Sequence, residues 1–373
     1  VTIHVRPLQL PAESSLIFDL PRRLHRADPQ WVAPLELYER HRLKPSNPLF
    51  ETAEIVVFGA FRGSELVGTA SALKDRNFDR DEGIVWFGFF ETEPDSDIAE
   101  ALFERVIEQA QRWGAVALRG PRNLTRWEYV GLTVEGFDTL PPMLQGHHPP
   151  YYATLLESLG MDKHHDTLAY EVSLYETDGS EKQIPATLLD KANGCDIPGL
   201  EVRRARWRSM NRDLVRAHEV LNEAYRTVPD VSPMPRATFL ALGRAYLVFA
   251  NTELMQLGLV DGAPAAFSVC LPEINEALVH ARGKLLPTGL FRFVNGLRGV
   301  RTAAFKLIGV KPEYRGTGLH AKMIVNVIHS ARRAGYSRID GSVIDERNKP
   351  MRGVVEGAGM QVYRRYRHYE LKL

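Results

Sequence analysis

The stretch "LIGVKPEYRGTGLHAKMIVNVIHSARRAG", Leu307 to Gly335, decides how the chain is read. A short apolar run closes at Val310. A turn with Pro312, Arg315, Gly316 and Gly318 follows, and a periodic apolar pattern then runs to Gly335. The plain translation is strand, glycine-bearing turn, helix. Such a junction leaves the first N–H groups of the helix without partners, and those donors together with the helix dipole favour an anion. Glycines let the backbone approach a phosphate closely. The donors would come from Val310 and from Arg315 through His320, with Arg315 adding charge. The same two glycines also suit an ordinary strand-to-helix turn. The stretch is neither the Walker loop, which needs a lysine after its last glycine, nor the dinucleotide fingerprint, which needs a third glycine.

Outward from this stretch, the chain is written twice. "TLLESLGMDKHHDTLAYEVSL" (154–174) matches "GVVEGAGMQVYRRYRHYELKL" (353–373) at an offset of 199, through Glu157/Glu356, Gly160/Gly359 and Met161/Met360. "EIVVFGAFRGSELVG" (54–68) matches "ELMQLGLVDGAPAAF" (253–267) at the same offset, and each reads as a hairpin. Between them, "ALFERVIEQAQRWGAVALRG" (101–120) aligns with "KMIVNVIHSARRAGYSRIDG" (322–341) at an offset of 221. Two insertions in different places therefore restore one register, near 121–150 in the first copy and near 272–300 in the second. The coarse order in each copy is strand, helix, hairpin, strand, helix, strand, helix, strand, which indicates an α+β layer with a mixed sheet. We divide the chain into a first copy over 1–175, a polar linker over 176–198 and a second copy over 199–373.

The 373 residues are 44% hydrophobic and 25% charged, the balance of a soluble globular protein with room for two domains. The net charge of +1 speaks against a general nucleic-acid binder, whose affinity rests on a basic excess. No apolar run reaches the ~18 residues of a membrane span, and the first residues lack the basic start and apolar core of a signal peptide. Cys195 and Cys270 form neither a disulfide framework nor a zinc spacing, so a cytoplasmic setting is expected.

The pattern V-x-P-x-x-R-G-x-G-L between strand and helix, then a strand, then an asparagine and E-x-x-G-M before a final strand, resembles the GNAT superfamily of N-acetyltransferases. The likeness covers 199–373 in element order, and the long insert resembles bacterial tandem members. It implies two tandem GNAT-like domains, each a mixed, centrally splayed sheet flanked by helices. It further implies acetyl-CoA, or another acyl-CoA, as cofactor, with the diphosphate on Arg315, Gly316, Thr317, Gly318, Leu319 and His320. The strand carrying Ile308, Gly309 and Val310 would splay from its neighbour near Ser342, pantetheine would lie in the wedge, and Asn348 would contact the cofactor. Two departures stand out. The bulky His320 occupies a place usually held by a small residue, and Val355 stands where a tyrosine general acid is frequent, so that role is not transferred.

In the first copy the loop equivalent is "PDSDIA", Pro94 to Ala99. It has no glycine, and Asp95 and Asp97 there suit helix capping and would repel a diphosphate. The expectation is that the first copy keeps the fold and the second holds the cofactor. For proton transfer the candidates are Asp340 and Ser342, on one face of a strand by period two, and Glu346 in the following loop. Asp340 could instead pair with a basic neighbour, Ser342 could be a small splay residue, and Glu346 could serve the next helix start. One of Tyr363, Tyr366 and Tyr369 could act as acid. The first-copy insert brings Trp127, Tyr129 and Phe137, which with Tyr366 are candidates for an acceptor pocket or for a cap on the sheet. Adjacent His147 and His148 make poor metal spacing, so no metal is expected. The reading is an acyl-CoA-dependent N-acyltransferase, acetyl by default, acting on a small amine-bearing acceptor. Its alternatives are a non-catalytic CoA-binding or sensing module and an aminoacyl-tRNA-dependent transferase.

Overall fold

The computed structural model describes residues 2–76, 83–226, 233–281 and 289–373. In chain order the elements are β1 (Ile3–Pro7), α1 (Ser14–Leu24), α2 (Glu36–Arg42), β2 (Ala53–Arg62), β3 (Glu65–Asp75), β4 (Ile84–Thr92), α3 (Ser96–Arg112), β5 (Ala117–Gly120), β6 (Leu132–Glu135), α4 (Tyr151–Ser158) and β7 (Asp162–Ser173). There follow α5 (Ala186–Asn193), β8 (Leu200–Arg204), α6 (Met210–Tyr225), α7 (Arg236–Leu247), β9 (Met255–Val260), β10 (Ala263–Pro272), α8 (Asn275–Ala281) and α9 (Gly289–Leu297). The chain closes with β11 (Thr302–Val310), α10 (Leu319–Arg333), β12 (Arg338–Asp345), α11 (Lys349–Gly357) and β13 (Gln361–Lys372). The class is α+β, as the alternation of period-two and helical patterns requires.

The chain packs as two compact units. Unit 1 comprises 1–168, 275–298 and 364–373; unit 2 comprises 169–274 and 299–363. Packing therefore does not follow the repeat boundary. In unit 1 the strands run β1-β2-β3-β4-β5 and then the end of β13, antiparallel except for the parallel β4–β5 pair. In unit 2 they run β8-β9-β10-β11-β12 and then the end of β7; the pairs from β8 to β11 are antiparallel and β11–β12 is parallel. Each sheet is thus completed by the last strand of the other repeat. The second-copy insert, with α8 and α9, belongs to unit 1; its residues 282–288 lie outside the described ones.

Both parallel pairs are short. The β4–β5 register covers Ile84↔Ala117 to Trp86↔Arg119 and then stops. The β11–β12 register covers Thr302↔Arg338 to Ala304↔Asp340 and stops likewise. Each sheet therefore splays at its centre. The hairpin turns follow their sequences: Asp261-Gly262, both at positive φ (49° and 80°), is the two-residue turn whose twist matches paired strands. Helices α3 and α10 present Leu102, Val106 and Met323, Val327 to their cores and are each followed by a glycine at positive φ, Gly114 and Gly335. The 176–198 segment, read as an irregular linker, contains α5. It begins after Pro185 and buries Leu188 and Ala192, too short a stripe to stand out in a polar segment.

Candidate active site

In unit 2 the strand-turn-helix junction has the geometry expected of it. Gly316 and Gly318 both adopt left-handed φ, 80° and 84°, and Gly318 is the N-cap of α10. Among the described residues, no backbone carbonyl accepts from the N–H groups of Gly316 to Ala321; the first bond back to the turn is Lys322 N–H to Gly318 O. The turn is pinned from α6. Arg315 Nη2 donates to Ala224 O at 2.5 Å, and Tyr225 O–H donates to Ile308 O at 3.1 Å. Thr317 Oγ1 donates to Tyr314 O at 2.7 Å. Arg315 thus orients the loop as well as charging it.

Two glycines here answer to packing as well. A Cβ on Gly318 would lie 2.2 Å from Lys191 O of α5, and one on Gly309 would lie 2.5 Å from the Phe267 ring on β10. Gly316 has no atom within 4 Å of its Cβ position, so only its backbone demands glycine. His320 is half-buried, and burial first and Lys191 second pull its pKa below the usual histidine value. A neutral imidazole is what the first turn of this helix holds.

Beyond Ala304 the outer edge of β11 has no ladder partner in β12, while Ile308, Gly309 and Val310 stay paired with Ser268, Phe267 and Ala266 of β10. At the mouth of this wedge the structure brings together Lys306, Asp340, Ser342 and Tyr363. Tyr363 O–H donates to Asp340 Oδ2 at 2.6 Å and Ser342 N–H to Asp340 Oδ1 at 2.8 Å. Lys306 Nζ lies 3.3 Å from Ser342 Oγ and 4.0 Å from Asp340 Oδ1. Asp340 is 3% exposed, and Ser342 sits at φ 60°, a strained conformation for a non-glycine residue. Of the other candidates, Glu346 is half-buried in the loop, its carbonyl accepting from Arg352. Asn348 caps α11 by accepting from Met351 N–H. Arg338 turns to Glu171 and Thr302, leaving Lys306 as the basic neighbour of Asp340. Lys306 was visible in sequence as the charged interior residue of its strand, but its meeting with Tyr363 needed the fold.

At the start of α3 in unit 1, Asp95 accepts from Asp97 N–H and pairs with Arg62 at 2.8 Å, and Arg62 also holds Glu93. Carboxylates fill the place that the open amides hold in unit 2. The four aromatic candidates part company. Tyr129, at φ 50°, lines a cavity of unit 1. Phe137 meets His147 edge-on, Trp127 lies near Arg126, and Tyr366 is fully buried under Arg364.

Among the described residues no group of three or more His, Cys, Asp or Glu side chains could hold a metal ion, and the pair His147 and His148 is engaged in hydrogen bonds. Arg364 Nη2 donates to His147 Nδ1 at 2.6 Å, so His147 Nε2 carries the proton and donates to Asp28 at 2.8 Å. Burial first, then Arg364, lowers the His147 pKa to about 4, and burial lowers that of His148 to about 3. Glu39 is the opposite case: burial raises it to about 7, Glu128 adding to the rise and Arg42 opposing it. A histidine with a depressed folded pKa contributes stability above its unfolded value near 6.5, lost as pH falls toward the folded pKa. Glu39 protonates in the fold first and opposes this loss. Between pH 7 and 4.5, stability should therefore fall more steeply in Glu39→Gln than in the wild type, and less steeply in His148→Gln, by about 1–3 kcal/mol in each case. Urea unfolding at the two pH values measures both.

No family model matches the chain. By structure it is similar, with TM-score 0.58 and 14% identity, to a tandem GNAT protein from the clavulanic acid biosynthesis pathway, covering 100% of this chain and 98% of that one. It is also similar to a GCN5-related N-acetyltransferase from Sphaerobacter thermophilus, at TM-score 0.55 and 15% identity over 99% and 95% of the two chains. The fold is thus the tandem GNAT fold. By sequence the chain is 32% identical over 381 aligned positions to the bacterial ceramide synthase of Caulobacter vibrioides, spanning 100% of this chain and 98% of that protein. It belongs to the family of that protein. No described helix is long and apolar enough to cross a membrane.

Proposed function

We propose that the chain is an acyl-CoA-dependent N-acyltransferase whose donor is held by unit 2. The observation that carries this is the run of open amides from Gly316 to Ala321 beside a strand edge released from its neighbour after Ala304. These parts fit a diphosphate and an extended amide-bearing arm, respectively. Bound acyl-CoA would supply a thioester whose acyl group passes to an amine. The amine must lose a proton, the sulfur must gain one, and the developing oxyanion must meet a donor. Lys306 Nζ lies nearest the wedge as a cationic donor. Tyr363 O–H donates to Asp340 Oδ2 at 2.6 Å, and this pair is the group through which a proton is exchanged. Ser342 and Lys306 hold Asp340 in place.

The relative's name, ceramide synthase, denotes joining an acyl chain to the amine of a long-chain amino alcohol. That favours acyl groups longer than acetyl and an amphiphilic amine as acceptor here. Thiol release should be followed with acetyl-CoA and with a long-chain acyl-CoA, against short and long amino alcohols. Asp340→Asn and Tyr363→Phe should each lower kcat by about 10²–10³-fold while CoA affinity stays within about threefold. Binding without thiol release from any pair would instead support a CoA-sensing module.

A further inference from the structure

Unit 1 carries a partly open pocket of its own, beyond the end of the β4–β5 pairing, with a cavity volume of about 60 Å³. Its wall is apolar, from Ile17, Phe18, Phe89, Phe90 and Leu132. Two carboxylates open into it. Glu91 Oε2 accepts from His25 Nε2 and from Tyr152 O–H, each at 2.7 Å; among the described residues no hydrogen bond ends on Oε1. Glu39 is 5% exposed; its Oε2 accepts from Arg42 at 2.8 Å, and among the described residues none ends on its Oε1 either. The other polar lining groups carry no charge or are already used. Asn123 Oδ1 accepts from Phe89 N–H at 2.7 Å, Tyr129 is kept protonated by burial, and His148 is kept neutral. No lysine or arginine is among the lining residues, and Arg42 is shared between Glu39 and Glu128.

We propose that this cavity binds an organic ammonium ion carried on an apolar body. Two carboxylates lining one pocket repel anions, and a neutral apolar ligand would add desolvation while offering neither of them a donor beyond the His25, Tyr152 and Arg42 contacts they already have. An inorganic cation would lose its water shell against an aromatic and aliphatic wall that offers nothing in exchange. An alkylammonium satisfies both halves: N–H donors meet Glu91 and Glu39, the chain lies on Ile17 and Leu132, and the phenylalanine faces add cation–π attraction. The inference stands apart from the transferase reading, because it needs neither acyl-CoA nor turnover.

The test is calorimetry on the full chain at pH 8 without CoA, with n-octylamine, 1-octanol and octanoate as probes of one chain length and three charges. Octylamine should bind with Kd below about 1 mM, at least about tenfold tighter than octanol, with no heat from octanoate. Glu91→Gln and Glu39→Gln should each weaken octylamine by about tenfold or more and leave octanol within about threefold. Thermal melting checks that each variant folds. If one does not, the other variant and the wild-type ratio of octylamine to octanol still decide. Equal affinity for octanol and octylamine, no octylamine binding, or unchanged octylamine affinity in the folded variants would each overturn the proposal. Gly316→Asp should leave octylamine binding unaltered, so failure of the donor site and failure of this site read out separately.

Discussion

Gly316→Asp should weaken acetyl-CoA binding by at least about 100-fold, about 2.7 kcal/mol, with the fold intact. Gly316 is the right position because its Cβ site is empty to 4 Å, so a side chain enters without collision. Its φ of 80° is one that aspartate and asparagine tolerate better than other residues. The substitution places a carboxylate among the N–H groups of Gly316 to Ala321, where it takes the donors and repels the diphosphate. Gly316→Asn separates charge from shape, and it should cost less than about tenfold. Gly318 is the wrong place for this experiment, because Lys191 O lies 2.2 Å from its Cβ position and any side chain there disturbs the seat of α5. Calorimetric titration with acetyl-CoA, paired with a melting curve, measures the effect.

Arg364→Met should destabilise the protein by about 3–5 kcal/mol, the range for removing one side of a buried charged network. Arg364 is fully buried. Its guanidinium donates to Gly136 O at 2.9 Å, to Thr139 O at 2.5 Å, to Thr133 Oγ1 at 3.3 Å and to His147 Nδ1 at 2.6 Å. Methionine fills comparable space and abandons every one of these acceptors in a place water does not reach. The same change removes the cation that, after burial, lowers the His147 pKa, so that pKa should rise part of the way from about 4 toward its ordinary value. Urea unfolding gives the energy and histidine proton NMR gives the titration. An unchanged His147 pKa in a folded variant would show that burial alone holds it down.

Much of the fold was legible because it rests on local periodicity. The hairpins and both long helices after a strand follow from alternation, from glycines at turns and from the offset between copies, whereas the splay of the strand ending at Val310 was implied by the resemblance to the GNAT superfamily. The partner of each final strand was not legible. The period-two pattern of β7 and β13 says which face of each strand is buried, but not which edge it joins, and here each completes the sheet of the opposite repeat. The diphosphate loop was readable as a glycine motif, but the packing reason for Gly318 was hidden, since α5 is a short helix in polar sequence. Lys306, Asp340 and Tyr363 lie on three strands, and only the folded structure reveals that they meet. His25, Glu39, Glu91 and His148 are scattered along the first copy. The available signal was Glu91, a carboxylate closing the apolar run "IVWFGFFET", where an acid inside a buried strand requires an explanation.

The central claim is that the amides at the start of α10 seat the donor's diphosphate and that the equivalent place at the start of α3 does not. A crystal of the full chain grown with acetyl-CoA tests it most directly. Difference density for the diphosphate should lie within hydrogen-bonding distance of the N–H groups of Gly316 to Ala321, with the thiol-bearing arm along Phe305–Val310. Diphosphate density beside Asp95–Ala99, or ordered density that leaves Gly316 untouched, would contradict it.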